Sequence, residues 1–142
     1  MKNYKQEIIT KKAPAAIGPY SQAIRVGNFI FCSGQVGTNP KTNVLVEGGI
    51  VAQTKRAFEN MRAVLEAAGC TFKDVVKVNV YLKNVDDFAA MNEVYASFFD
   101  KPYPARATVE VAKIPKGALI EIDCIAYLKK GEEGCEDCDC EC

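Results

Sequence analysis

The sequence predicts an α+β fold in which a mixed sheet carries two helices on one face. Three observations point there. Segments of strand and helix character alternate as strands, helix, strand, helix, strands. Each helical segment has an apolar stripe that needs a partner surface, and one face of a sheet can bury both. The other strand face mixes Phe, Val, Ile and Tyr with Arg, Thr and Glu, too apolar for open solvent, so the chain is expected to oligomerise through its sheet.

The elements follow in order. "GNFIFCSGQV" (Gly27 to Val36) is rich in aromatic and β-branched residues and reads as a strand. "GTNPKTNVLVEGG" is punctuated by Asn-Pro and Gly-Gly and reads as turns around a short strand. From Ile50 to Ala68 the period becomes helical: Ile50, Ala57, Phe58, Met61, Leu65 and Ala68 form the stripe, and Gly69 is placed to cap it. "VVKVNVYL" (Val75 to Leu82) alternates as a strand, with Val76, Val78, Val80 and Leu82 expected on one face. A second helix, capped by Asn84 or Asp86, carries Phe88, Met91, Tyr95 and Phe98. "ARATVEVA" and "ALIEIDCIAYL" close the fold as strands. One domain is expected over 1–128, followed over 129–142 by an acidic, cysteine-rich tail of disordered composition.

Composition removes several classes of function. The 142 residues include no histidine, which excludes Ser-His and Cys-His nucleophilic machinery and histidine metal sites. No run approaches the ~18 apolar residues of a membrane span. "MKNYKQEIIT" lacks the apolar core of a signal peptide, so the cytoplasm is the expected compartment. The chain has 18 basic and 18 acidic residues, but six of the acids crowd the last eleven positions, leaving 18 basic against 12 acidic elsewhere. That excess is scattered, which reads as solvated lysine or suits anionic small molecules. Neither a basic groove with stacking aromatics nor a phosphate-binding glycine motif is present, so nucleic acid is not an expected partner. Cys135, Cys138, Cys140 and Cys142 include a chelating C-x-x-C pair, yet C-x-C-x-C is tighter than structural zinc spacing. A metal role for them is the weaker reading, and no metal is assigned.

Besides the cysteine tail, three places are candidates for chemistry. Arg106, Thr108 and Glu110 point one way from their strand, while Glu121 and Asp123 stand opposite the apolar face of the last. If the two strands are neighbours, Arg106, Thr108 and Glu121 share a face. Periodicity alone favours a cross-strand ion pair there, worth ~0.2–1 kcal/mol. Asn92 borders an apolar helical stripe and, turned inward, needs a hydrogen-bond partner. "AIGPYSQAI" presents Tyr20 and Ser21 on a loop, as an anchor or as part of a site.

Together "GPYSQAI", "FIFCSGQV", "NEVYASFF", "YPARATVEV" and "IEIDCIAYL" resemble the RidA/YjgF family of reactive-intermediate deaminases, from about Ile8 to Leu128. The resemblance implies a chorismate-mutase-like α+β fold and a homotrimer with three clefts between subunits. It implies hydrolysis of enamine and imine acids such as 2-aminoacrylate, released by pyridoxal-phosphate enzymes, to 2-keto acids and ammonia, with no cofactor. On this reading Arg106 and Glu121 are catalytic. Arg106 grips the substrate carboxylate, and Glu121 orients or deprotonates the attacking water. Tyr20, Ser33, Gly34 and Asn92 line the cleft. Thr108 stands where many deaminating members have cysteine, which bears on substrate range. The alternatives are an endoribonuclease or translation inhibitor, and a trimer that binds carboxylates without turnover. Glu121 weighs against the last, because a pure anion site gains nothing from a nearby carboxylate.

Overall fold

A computed structural model describes residues 4–129. Six strands form one sheet: β1 (Lys5–Ile8), β2 (Ala23–Val26), β3 (Phe29–Val36), β4 (Val75–Leu82), β5 (Ala105–Glu110) and β6 (Ile120–Tyr127). Their order is β1-β2-β3-β6-β4-β5, which makes β5 an edge strand. All neighbours run antiparallel except β4 and β5, which are parallel. A parallel pair needs a crossover connection, and helix α2 (Phe88–Phe98) supplies it. Helix α1 (Gly49–Ala67) joins β3 to the β4 side.

The two helices bury their stripes on one face of the sheet, as the sequence predicts. Phe58, Met61, Leu65 and Met91 pack with Ile30, Val78, Val80, Leu82, Ile120 and Ile122, all essentially inaccessible. Phe58 sits among Phe72, Tyr95, Phe98 and Phe99, with ring centroids 5.0–6.1 Å away. Such edge-on and stacked pairs add to what burial alone contributes. Gly69 follows α1 with φ of 82°, a left-handed conformation in which a side chain is strained.

The structure departs from the sequence expectations at four points. β1 and β2 escape periodicity because they are four residues long, and only Ile8 of β1 is even half-buried. The strand expected within residues 37–49 is an isolated bridge, Thr38 to Leu45. In β4 the pairing with β6 slips between Val75 and Lys77, so Val75 turns inward and Val76 is exposed. An inserted residue of this kind reverses alternation on one side of the bulge. Finally, Asn84 caps a short 3-10 turn, and α2 starts only at Phe88.

α1 also buries polar groups that its stripe did not announce. Asn60 is inaccessible, and its amide donates to the carbonyls of Val36 (3.1 Å) and Thr38 (2.8 Å) while its oxygen accepts from Arg56. This fixes the exit of β3 against the helix. The tail cysteines Cys135, Cys138, Cys140 and Cys142 lie outside the described residues. Among those described, no helix is long and apolar enough to cross a membrane.

Candidate active site

The site residues fall into two groups. Arg106 and Thr108 of β5 lie directly beside Val78 and Val80 of β4, on the face that the helices cover. Arg106 therefore meets α2. Its Nη1 donates to Asn92 Oδ1 at 2.7 Å, and its guanidinium carbon lies 4.6 Å from the Tyr95 ring centroid and 5.5 Å from that of Phe88. Phe88, Asn92 and Tyr95 are four and then three residues apart, so they line up along one side of α2. The result is a ring, an amide and a second ring around one cation. Burial raises the Tyr95 phenol above its ordinary value, and the Arg106 charge pulls it back. The choice of amide matters: asparagine orients the guanidinium without neutralising it, leaving a full positive charge for an anion. Thr108 Oγ1 is buried with no hydrogen-bond partner among the described residues. An orphan hydroxyl of this kind is uncommon and asks for a partner.

The second group surrounds Glu121. Tyr20, Gly34 and Glu121 line a cavity of about 140 Å³, together with Lys116, Asn43 and Gln35. Gly34 owes its place to a bulge: the β3–β6 ladder slips between Cys32 and Gln35, setting Ser33 and Gly34 opposite Asp123. A Cβ at residue 34 would fall 2.8 Å from the Glu121 carboxyl carbon and from Oε2. Only glycine lets the carboxylate lie on that backbone. Burial, and secondarily the negative charge of Asp123, raise Glu121 above the ordinary glutamate value. It makes no hydrogen bond or ion pair among the described residues, so nothing offsets that rise. A carboxylate so placed binds a proton more readily than one in water.

The remaining residues shape the loop beside this cavity. The Ser33 hydroxyl donates to the Ser21 carbonyl, and the Ser33 N–H donates to the carbonyl of Gln22. Gln22 is buried and ties down the preceding loop: its amide donates to the carbonyls of Thr10, Ala13 and Pro14, and its oxygen accepts from the Thr10 N–H. Tyr20 is half-exposed, and its hydroxyl accepts from the Ile17 N–H at 3.4 Å.

The two groups do not meet within one chain. β4 lies between β5 and β6, and Glu121 pairs with Tyr81, on the face opposite Val80 and Thr108. The expectation of a shared face for Arg106, Thr108 and Glu121 is thereby corrected. Strand periodicity gives each residue's parity, but parity becomes a face only once pairing is known. Phe88 and Tyr95, read from sequence as core stripe, prove to be walls of the arginine cradle. The signal was the polar Asn92 between them. Lys116, whose ammonium donates to Asn43 at 2.9 Å, joins the glutamate cavity from a turn with φ of 64°. No periodicity marks such a turn.

The chain is thus of the single-sheet α+β class, with a guanidinium cradle at its edge strand and a carboxylate seated on a glycine on its open face. The family model described as endoribonuclease L-PSP matches residues 10–128, and the chain belongs to that family, the YjgF/RidA family. It is 57% identical over 123 residues to a RutC family protein of Pyrococcus abyssi, covering 87% of this chain and 97% of that one. It is 50% identical over 125 residues to a protein of Dermatophagoides farinae named 2-iminobutanoate/2-iminopropanoate deaminase, covering 88% and 98%. Among solved structures, RidA from the Antarctic bacterium Psychrobacter sp. superposes with a TM-score of 0.84 at 52% identity, over 87% of this chain and 99% of that one.

Proposed function

We propose that the protein is a deaminase that hydrolyses 2-imino acids, and their enamine tautomers such as 2-aminoacrylate, to 2-keto acids and ammonia. It works as a homotrimer whose clefts join Arg106 of one copy to Glu121 of another. The observation that carries this reading is the complementary chemistry of the two groups: an oriented, un-neutralised guanidinium, and a half-buried carboxylate with raised proton affinity. The name borne by relatives at about half identity agrees with it. The open sheet face supports assembly, since Phe29, Phe31, Tyr127 and Val109 are 43–48% exposed there in the single chain. The reduced thiols Cys32, Cys70 and Cys124 suit a reducing, cytoplasmic setting.

The chemistry asks little of the protein. Arg106 holds the substrate carboxylate through a bidentate fork. On the protonated imine, Glu121 takes a proton from water as the water oxygen bonds to C2, and the C=N π pair moves to nitrogen, which becomes a neutral amine. Glu121 then gives that proton to the amine, and as the C–N bond breaks to release ammonia the C2 hydroxyl passes its own proton to the freed carboxylate and becomes the carbonyl. Water is the only co-reactant, and the iminium carbon is already electrophilic. Tyr20 and Gly34 shape the water side, and Ser33 holds the loop that carries Tyr20. The Thr108 hydroxyl supplies a hydrogen bond beside Arg106 and tunes which substrates fit.

The test generates 2-aminoacrylate with a dehydratase and follows keto acid formation with and without the protein. Arg106→Ala and Glu121→Gln are each expected to be inactive alone. Unfolded and reassembled together, they should regain activity, because about one cleft in four in random trimers receives both wild-type residues. No acceleration by the wild type sinks the deaminase reading. Inactivity of the mixed trimers, with wild type active, sinks the intersubunit cleft.

A further inference from the structure

Glu121 stands in a polar row on the otherwise apolar open face. Asp123 follows it two positions along β6, on the same face. In β4, Tyr81 pairs with Glu121 and Asn79 with Asp123. The Asn79 amide donates to Asp123 Oδ1 at 2.9 Å. The Tyr81 phenol, raised first by burial, also interacts with the Asp123 carboxylate and feels Glu121. Two carboxylates and a phenol thus stand side by side on two adjacent strands. Two like charges this close on one sheet face repel, and each makes the other harder to ionise.

We propose that Asp123 is a positioning residue for the hydrolysis: held by the Asn79 amide, it sets a second negative group beside Glu121 and so governs when Glu121 takes the proton from water. This rests on the deaminase reading above. The groups facing Glu121 are few. Asp123 comes from β6 and Tyr81 from β4. Tyr20 and Lys116 stand across the cavity, and β3 contributes Gly34, Gln35 and Val36, none of which titrates. Within one chain Lys116 is the cation among them, its ammonium spent on Asn43, and the proposed trimer adds Arg106 of a neighbouring copy, a charge common to every variant compared. Asp123 is the nearby charge that lifts Glu121, acting in the same direction as burial. Without it Glu121 ionises at lower pH and is a weaker base. The Asn79 hydrogen bond holds the Asp123 carboxylate in place beside Glu121.

The experiment compares the pH dependence of kcat/KM for wild type, Asp123→Asn and Asn79→Ala, alongside carbon NMR titration of the Glu121 carboxyl in each. The expected result is an acid limb displaced to lower pH in Asp123→Asn, with plateau kcat reduced a few-fold and KM little changed. Asn79→Ala should shift the same way by less, since it frees Asp123 rather than removing it. An acid limb and a Glu121 titration unmoved in Asp123→Asn overturn the proposal. Should that variant fail to assemble, an unmoved titration in Asn79→Ala overturns it equally. A role confined to stability would lower Tm without displacing either curve. The NMR arm needs no turnover, so an inactive wild type would sink the deaminase reading while leaving the Asp123–Glu121 coupling separately decided.

Discussion

Replacing Gly34 with alanine separates the position of the Glu121 carboxylate from the stability of the fold. Gly34 has no positive φ, so alanine fits its backbone. The new methyl would lie 2.8 Å from the Glu121 carboxyl carbon and Oε2 and 3.1 Å from its Cγ, where ordinary contact begins at 3.4 Å. The nearest atoms thus overlap by about 0.6 Å, and they belong to a side-chain end that can swing aside. Relief moves the carboxylate by roughly half an ångström to one ångström, at a stability cost of about 1 kcal/mol, the low end for overpacking. Catalysis is less forgiving: misplacement by about 1 Å can cost roughly 100-fold, or about 2.7 kcal/mol of transition-state stabilisation. The assay is the coupled 2-aminoacrylate reaction, read beside thermal melting. The expected variant melts within a few degrees of wild type and has kcat lowered by about two orders of magnitude, with KM nearly unchanged because Arg106 is untouched. Wild-type kcat in a folded Gly34→Ala protein would refute the claim that glycine is there to seat Glu121.

Further expectations concern other parts of the molecule. Asn92→Ala removes the acceptor that orients Arg106; a hydrogen bond to a charged group contributes about 1.5–3 kcal/mol to stability, so the Tm should fall by several degrees, and with the guanidinium unoriented KM should rise, read by melting and steady-state kinetics. Glu121→Gln should raise the Tm at neutral pH while abolishing turnover. The folded protein disfavours the ionised carboxylate, so wild-type stability declines as pH climbs from the ordinary glutamate range through the raised folded value; melting curves of the two proteins should converge at acid pH. Asn60→Ala leaves the carbonyls of Val36 and Thr38 without their buried donor. At about 1–3 kcal/mol for each unsatisfied group, chemical denaturation should report a loss of several kcal/mol.

Helix-period stripes were legible in the sequence because they belong to long segments with strong apolar contrast, and α1 with its Gly69 terminus is the clearest case. The short strands β1 and β2 were not, since four residues with little burial carry almost no pattern. Bulges defeated the alternation twice, at Val76 and at Ser33–Gly34, and the second is where the glutamate is seated. Arg106 and Glu121 were singled out from the sequence as charges among apolar neighbours. Their placement on opposite faces was hidden, because nothing in either strand says that β4 lies between them. Asn92 showed the opposite case, since one polar residue on an apolar stripe foretold a buried partner, though not that the partner would be a guanidinium.

The parallel pair β4–β5 with its α2 crossover has a consequence for the order in which function appears as the chain folds. Asn92 and Arg106 are 14 residues apart and belong to one strand–helix–strand unit. The cation cradle is therefore a local structure, available as soon as that segment condenses. Tyr20 and Glu121 lie near opposite ends of the domain, and their cavity exists only after β3 has found β6. Contacts so distant in sequence close slowly. The arginine cradle is thus local in the chain, whereas the glutamate cavity draws on both of its ends.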